Sequence, residues 1–421
     1  MRYAARFTSL LRTIYSTTAV NDMNTIVIIG GGASGMAAAI TASNDKNNNV
    51  ILLERQQRVG KKLLSTGNGR CNLTNTGAAP EHYHGAQPGF PDEVLSRFTP
   101  EDTLRFFDSL GLAVSCEYGG RVYPQSNSAN SVVDVLRFAL MRDNITVKTS
   151  CPARKIERRG EGFSVLTDDG KINADFVIVS CGGAAGAKVG GVHDGYELLK
   201  LLGHKSTVLL PSLVQLVTDP NYPRALKGVR VMAKLRLEKD GEIIAESFGE
   251  LQFTETGLSG PAAFDISRAA AQTGKGKVHI DLSGNEDIET KLRARIKANP
   301  SLCADDALTG VLHNRLGRMV VKYAGVPGQT PLERLEQPQI AAIAAACRDF
   351  CIELRGVEDF DHAQVTAGGI KTTGVNPETL ESWFVPHLFI TGELLDVDAD
   401  CGGYNLQWAW ASGVTAGRLG K

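Results

Sequence analysis

Long apolar runs are missing from this chain of 421 residues. No segment approaches the roughly 20 apolar residues that a membrane-spanning helix needs. The eight cysteines (Cys71, Cys116, Cys151, Cys181, Cys303, Cys347, Cys351 and Cys401) include no C-x-x-C. Only Cys347 and Cys351 have the spacing that shares a helical face. Without further ligands at matching spacing no zinc or other metal site is expected, and reduced thiols of a cytoplasmic protein are the natural reading. Charge of one sign is lacking as well. The 45 Lys and Arg offset the 46 Asp and Glu to a net charge of -1, so the total carries no strong nucleic-acid or membrane footprint, although a local basic patch stays open. There is no internal repeat and no low-complexity tract. Acids are absent from the first residues: Arg2, Arg6 and Arg12 stand among Ser and Thr, with no Asp or Glu before Asp22. That is the composition of a mitochondrial-type transit peptide. The alternative is an over-long start, since Met23 directly precedes the first apolar run. Residues 1–22 are set apart from the fold on either reading.

What is present starts with glycine, 45 residues of it. The run Thr25-Ile26-Val27-Ile28-Ile29 leads into Gly30-Gly31-Gly32-Ala33-Ser34-Gly35, a G-x-G-x-x-G. Small, helix-compatible residues follow to Ala42, and a second apolar run, Val50 to Leu53, ends in Glu54. Strand, glycine turn, helix, strand and acid in this order make a dinucleotide-binding βαβ unit. Gly30 permits the tight turn, Gly32 lets backbone approach a pyrophosphate, and Gly35 lets helix and strand pack closely. Ala33 and Ser34 open the helix, whose free N–H groups and positive dipole end face the phosphates. Glu54 would accept hydrogen bonds from the adenosine ribose.

The organisation reads as α/β, a Rossmann-type domain interrupted by an insertion. Residues 23–205 form its first part. Helices are expected over Pro100–Leu110, Ser131–Asn144 and Asp194–Leu202, and a hairpin over Phe163–Ile172 with an Asp-Gly turn. Residues 206–284 alternate apolar and polar residues and predict a small antiparallel β domain. Residues 285–362 are rich in Leu, Ala, Arg and Glu and predict a helical domain. From 363 to 421 the chain returns, with Leu388-Phe389-Ile390-Thr391-Gly392-Glu393 as a strand ending at a glycine, and Tyr404–Gly417 as a helix rich in small residues.

Several segments could carry chemistry. Arg55, Arg58, Lys61, Lys62 and Arg70 precede Asn75 with no acid between. Lys62, Gly69 and Arg70 would wrap the phosphates of a dinucleotide, with Cys71 near the reactive ring as a candidate acid. The alternatives are a solvated basic loop and a buried thiol. The pair Gly182-Gly183 follows the strand Phe176–Val179. Gly402 and Gly403 open the last helix, whose amides, with Tyr404 and Asn405 at its start, would face the edge of a flavin where negative charge accumulates on reduction. Asp396 is placed to meet a ribityl chain. Leu258-Ser259-Gly260-Pro261 reads as a helix start with amides free for an anion.

Six stretches together resemble one family. They are V-I-I-G-G-G-A-S-G-M, S-T-G-N-G-R-C-N-L-T-N from Ser65, R-V-Y-P-Q-S-N-S-A from Arg121, L-S-G-P from Leu258, Q-V-T-A-G-G-I from Gln364, and the run from Gly392 to Gly413. From Met23 onward the chain is similar to the BaiN/RdsA-type FAD-dependent oxidoreductases. The resemblance implies three parts (FAD domain, small β domain and helical domain) and a flavin alternately reduced and oxidised. It implies NADH or NADPH as a transient electron donor and reduction of a conjugated C=C bond. The substrate would be a uridine of large-subunit ribosomal RNA, reduced to dihydrouridine, or a small unsaturated 3-oxo compound such as a bile-acid enone. A flavin-binding protein with little turnover and an NAD-only dehydrogenase are the competing classes. One departure stands out: the family's Thr-Gly-Gly, often followed by proline, is Ser180-Cys181-Gly182-Gly183-Ala184 here.

Overall fold

The computed structural model describes residues 23–421, and the candidate transit segment 1–22 lies outside them. A five-stranded parallel sheet organises the first and last parts of the chain. Its strand order is Leu388–Ile390, Phe176–Val179, Asn24–Ile29, Asn48–Leu53, Ile145–Lys148. Ile26, Val27 and Ile28 on the middle strand are fully buried. An unbroken apolar run is what a strand covered on both faces requires. The first helix, Ala33–Ala42, packs against this sheet, and the last, Tyr404–Gly417, packs on the first. A methyl on Gly413 would strike the Ser34 backbone and one on Gly417 the Ala38 backbone. Small residues at this spacing therefore set how closely the two helices approach.

The hairpin expected over Phe163–Ile172 is the outer part of a three-stranded antiparallel sheet, with Thr167 paired to Gly170 across the turn. The chain leaves the sheet region through Leu210–Ser212 and returns through Val365–Ala367. These two strands pair with each other and form a narrow neck. Between them lies a closed six-stranded antiparallel barrel. Its strands follow the order Leu216–Thr218, Gly257–Ser259, Glu242–Phe253, Arg230–Lys239, Gly276–Asp281, Phe350–Val357.

Two differences from the sequence reading stand out in this insertion. The barrel is closed by Phe350–Val357, a strand inside the segment read as helical. The helices Ile288–Ala298, Asn314–Tyr323 and Gln337–Arg348 share one apolar core with the barrel. Phe350, Ile352 and Leu354 point inward in strict alternation. A strand this short is swamped by the helical composition on its N-terminal side. Among the described residues, no helix is long and apolar enough to cross a membrane.

Candidate active site

A cavity of about 530 Å³ opens at the carboxyl ends of the strands Asn24–Ile29, Asn48–Leu53 and Phe176–Val179. Open parallel sheets place ligands at this edge. Gly30 begins the first turn at a φ of +110°, and a side chain there would strike the Ser180 carbonyl. Ser180 Oγ donates to the Ile29 and Gly30 carbonyls at 3.0 and 2.9 Å, tying two strand ends together. Gly35 lies against the Gly30 carbonyl with no room for a methyl group. Gly32 is the reverse case. A Cβ on it would meet nothing within 4 Å and would project into open space in the cavity wall. Gly32, Ala33 and Ser34 line the cavity, and no side chain caps this helix. Its first amides are therefore open to an anion.

Glu54 closes the opposite side of the turn. Its Oε2 accepts from Gly31 N at 2.8 Å and its Oε1 from Gln56 N at 2.6 Å. Each carboxylate oxygen can accept again, so a ribose hydroxyl at the cavity wall remains a feasible partner. Gly182 and Gly183 line the same wall. A methyl on Gly183 would lie 2.6 Å from Glu393 Oε1, so the glycine gives that carboxylate its place. Glu393 in turn accepts from Thr366 N and from Lys62 Nζ, both at 2.8 Å. Lys62 and Glu393 thereby tie the basic loop to the neck.

The last helix also begins at the cavity. Gly402 and Gly403 line it, and Gly403 caps the helix in a left-handed conformation (φ +101°) without a side-chain cap. Asn405 fixes the preceding loop, donating from Nδ2 to the Ala399 carbonyl at 2.7 Å and accepting at Oδ1 from Ala399 N at 3.0 Å. Beside this helix start sits Asn72, only 9% exposed, whose Oδ1 is buried with no partner among the described residues. It lines the cavity, and its Oδ1 lies 2.9 Å from where a Gly403 side chain would begin. A buried carboxamide left unpaired costs about 1–3 kcal/mol, which a bound polar ring edge would remove. The open cradle at Gly32, the uncapped helix and the orphaned Asn72 together fit a flavin dinucleotide.

The far wall comes from the barrel. Arg230, Glu250 and Gln252 sit on neighbouring strands, with Arg230 Nη1 3.4 Å from Glu250 Oε1. Ser259 at the end of its barrel strand, the cap residue Gly260, and Pro261 and Phe264 of the helix Pro261–Thr273 also line the cavity, and this helix too lacks a side-chain cap among the described residues. The sequence reading singled out Leu258–Pro261 but assigned nothing to Asn72, Arg230, Glu250, Gln252 or Cys401. Asn72 and Cys401 fall within two of the quoted stretches, where nothing local singles them out, and no motif marks Arg230, Glu250 or Gln252: an alternating barrel strand looks alike on its solvent and cavity faces.

Six expected site residues lie off the cavity wall. Gly35 and Gly392 act behind it. A methyl on Gly392 would meet Ser34 Oγ, and the Gly392 carbonyl accepts from Trp408 Nε1 at 3.0 Å. Gly69 belongs to the loop beneath Arg70. Asp396 is buried, accepts from Ala86 N at 3.1 Å, and is pushed above the usual carboxylate range by burial. Tyr404 turns its ring away and stacks on His82 at 4.1 Å between centroids. Cys71 needs a correction. It is fully buried outside the cavity, and burial pushes its thiol up to about 12. It packs in the core of the sheet domain and does not line the cavity. Arg70 lines the cavity, but its guanidinium stacks 3.9 Å over the Tyr123 ring and is bound by Glu117 and Asn127. Its charge is met within the protein and is not a free phosphate ligand.

Comparison with known proteins places this geometry. The family described as HI0933-like protein Rossmann domain matches residues 24–419. A 3-dehydro-bile acid delta(4,6)-reductase of Clostridium scindens is 38% identical over 372 residues, 87% of this chain and 91% of that protein. A ribosomal RNA dihydrouridine synthase of Escherichia coli is 29% identical, covering 85% of this chain and 88% of its own length. Its counterpart in Haemophilus influenzae is 26% identical over the same shares. With the Gly30–Gly35 turn, Glu54 and the Gly402–Gly403 helix start all on one cavity, and with residues 24–419 matched, the chain belongs to the HI0933-like Rossmann family of flavoproteins.

Proposed function

We propose that this protein is an FAD-dependent oxidoreductase that reduces a conjugated C=C bond, with NADH or NADPH docking transiently as donor. Bound FAD would supply hydride transfer, and the protein would supply orientation, charge and a proton. Gly32, Ala33 and Ser34 would hold the pyrophosphate on helix amides, and Glu54 the adenosine ribose. Gly402, Gly403 and the orphaned carboxamide of Asn72 would face the flavin's pyrimidine edge. The helix dipole there favours the negative charge of a reduced ring. Lys62, Glu393, Gly182 and Gly183 would set the floor between the two ends.

The observation that carries the reading is the uncapped start of the last helix meeting the βαβ turn across one cavity. The polar barrel wall of Arg230, Glu250, Gln252 and Ser259 supports a polar ring as substrate. Uridine of large-subunit ribosomal RNA, reduced to dihydrouridine, fits that chemistry. A second reading, a small 3-oxo enone, is favoured by the higher identity to the bile-acid enzyme. Reduced protein mixed anaerobically with unmodified large-subunit rRNA or with a 3-oxo-4-ene steroid separates them. Flavin reoxidation by the RNA, with dihydrouridine found in the product, supports the first. Reoxidation by the steroid alone supports the second. Failure of the protein to bind FAD contradicts both.

A further inference from the structure

One cluster of titratable groups on the cavity wall is not used by cofactor binding. Asp400 lines the cavity and holds two imidazoles: His82 Nδ1 lies 3.0 Å from its Oδ2 and His84 Nε2 lies 2.7 Å from its Oδ1. The two rings are 30% and 35% exposed, so they connect this wall to solvent. The next residue, Cys401, also lines the cavity. Its amide donates to Asp265 Oδ1 at 2.8 Å, which pins the thiol's backbone to the barrel-side helix Pro261–Thr273. Asn72, buried and unpartnered, independently marks this part of the cavity as a place where a ligand's polar edge belongs.

Resting on the reductase reading, we infer that Cys401 supplies the proton of the reduction and that the His82–Asp400–His84 cluster returns it from solvent. The chemistry balances. Bound FAD would supply a hydride for one C–H bond, and the broken π bond would supply the electron pair for the second. The proton for that second bond comes from Cys401 Sγ, which keeps the S–H pair as thiolate. An imidazolium of the cluster reprotonates the sulfur, and a proton taken up from bulk solvent recharges the imidazole, so each turnover consumes one solvent proton.

The surroundings suit both roles. Burial and the nearby Asp265 and Asp400 carboxylates raise the Cys401 thiol to about 12 against the opposing charge of Arg121, so it rests protonated. The Asp400 carboxylate raises His84, opposed by its partial burial and by Arg268, with Asp398 adding to the rise. Asp265, itself pushed up to about 6 by burial, faces His82, Asp400 and Arg121. The Tyr404 ring covers His82.

The test uses FAD-loaded protein, reduced anaerobically with NADPH and mixed with 2-cyclohexen-1-one or unmodified large-subunit rRNA. Cys401→Ala should bind FAD and be reduced as wild type is, yet be reoxidised about a hundredfold or more slowly, the scale of a lost general acid. The double variant His82→Gln/His84→Gln should slow multiple turnover and move its pH dependence. Cysteine alkylation followed by peptide mass spectrometry gives a readout without turnover: FAD should protect Cys401 and leave Cys116 labelled as before. Wild-type reoxidation rates in Cys401→Ala, or equal labelling of Cys401 with and without FAD, overturn this inference alone. Reduced wild type that neither probe reoxidises overturns the reductase reading together with it.

Discussion

Gly32 and Gly35 lie on the same turn and answer differently to one added methyl. At Gly35 it collides with the Gly30 carbonyl, whereas at Gly32 it enters empty space. Gly35→Ala should therefore lower stability by about 1–3 kcal/mol, as overpacking does, or more. Gly32→Ala should leave the unfolding midpoint nearly unchanged while weakening FAD binding at least tenfold. Urea denaturation beside a flavin fluorescence titration distinguishes the two effects. His84 gives a pH signature. Its partner Asp400 raises its pKa in the fold. The stabilisation is fully present below the unfolded histidine value of about 6.5 and is lost as pH rises through the raised folded value. Wild type should exceed His84→Gln in thermal midpoint at low pH, and the gap should close as pH rises. A gap that widens with pH contradicts the assignment.

Among the elements, the last helix shows what the sequence discloses best. Its bounds, Tyr404–Gly417, follow from a glycine start and a run of small residues, and the structure has the same bounds. Its small face is a packing requirement against Ser34 and Ala38 on the first helix. Gly413→Val should cost about 3 kcal/mol or more and release FAD, because both helices carry cofactor-facing amides. Calorimetry with and without FAD checks this. Trp408 and Trp410 on this helix are buried, and both donate indole N–H bonds, to the Gly392 and Leu73 carbonyls at 3.0 and 2.9 Å. The barrel strand Phe350–Val357 was hidden in a helical context, although its alternation is plain once the window shrinks to eight residues.

At the scale of the whole molecule, the barrel and the sheet are joined by more than the neck. Arg268 on the helix Pro261–Thr273 lies 3.1 Å from Asp398, whose side chain is fully buried beside the cavity loop. Burial pushes that carboxyl up to about 6, while Arg268 pulls it down. Arg268→Leu would strand a buried charge and should cost about 3 kcal/mol, the low end for a broken buried pair, since Arg268 itself is partly exposed. Asp398→Asn in the same chain should recover part of that loss in urea denaturation. Contacts of this range explain which parts of the site were illegible. Lys62 and Glu393 are 331 residues apart, and the basic loop looked free because its carboxylate partners lie elsewhere in the sequence. The βαβ turn and the glycine helix start were legible because their chemistry is local. Cys71 shows the opposite: it is buried off the cavity wall while Cys401 lines the cavity, and no local pattern reports which thiol faces a cavity.

The most direct measurement is the visible spectrum of the purified protein through one anaerobic cycle, NADPH first and then unmodified large-subunit rRNA or a 3-oxo-4-ene steroid. The account predicts bound FAD, bleaching by NADPH, and recovery of the flavin bands when one of the two unsaturated substrates is added. A protein that cannot be loaded with FAD, or a bleached flavin that neither substrate restores, would contradict it.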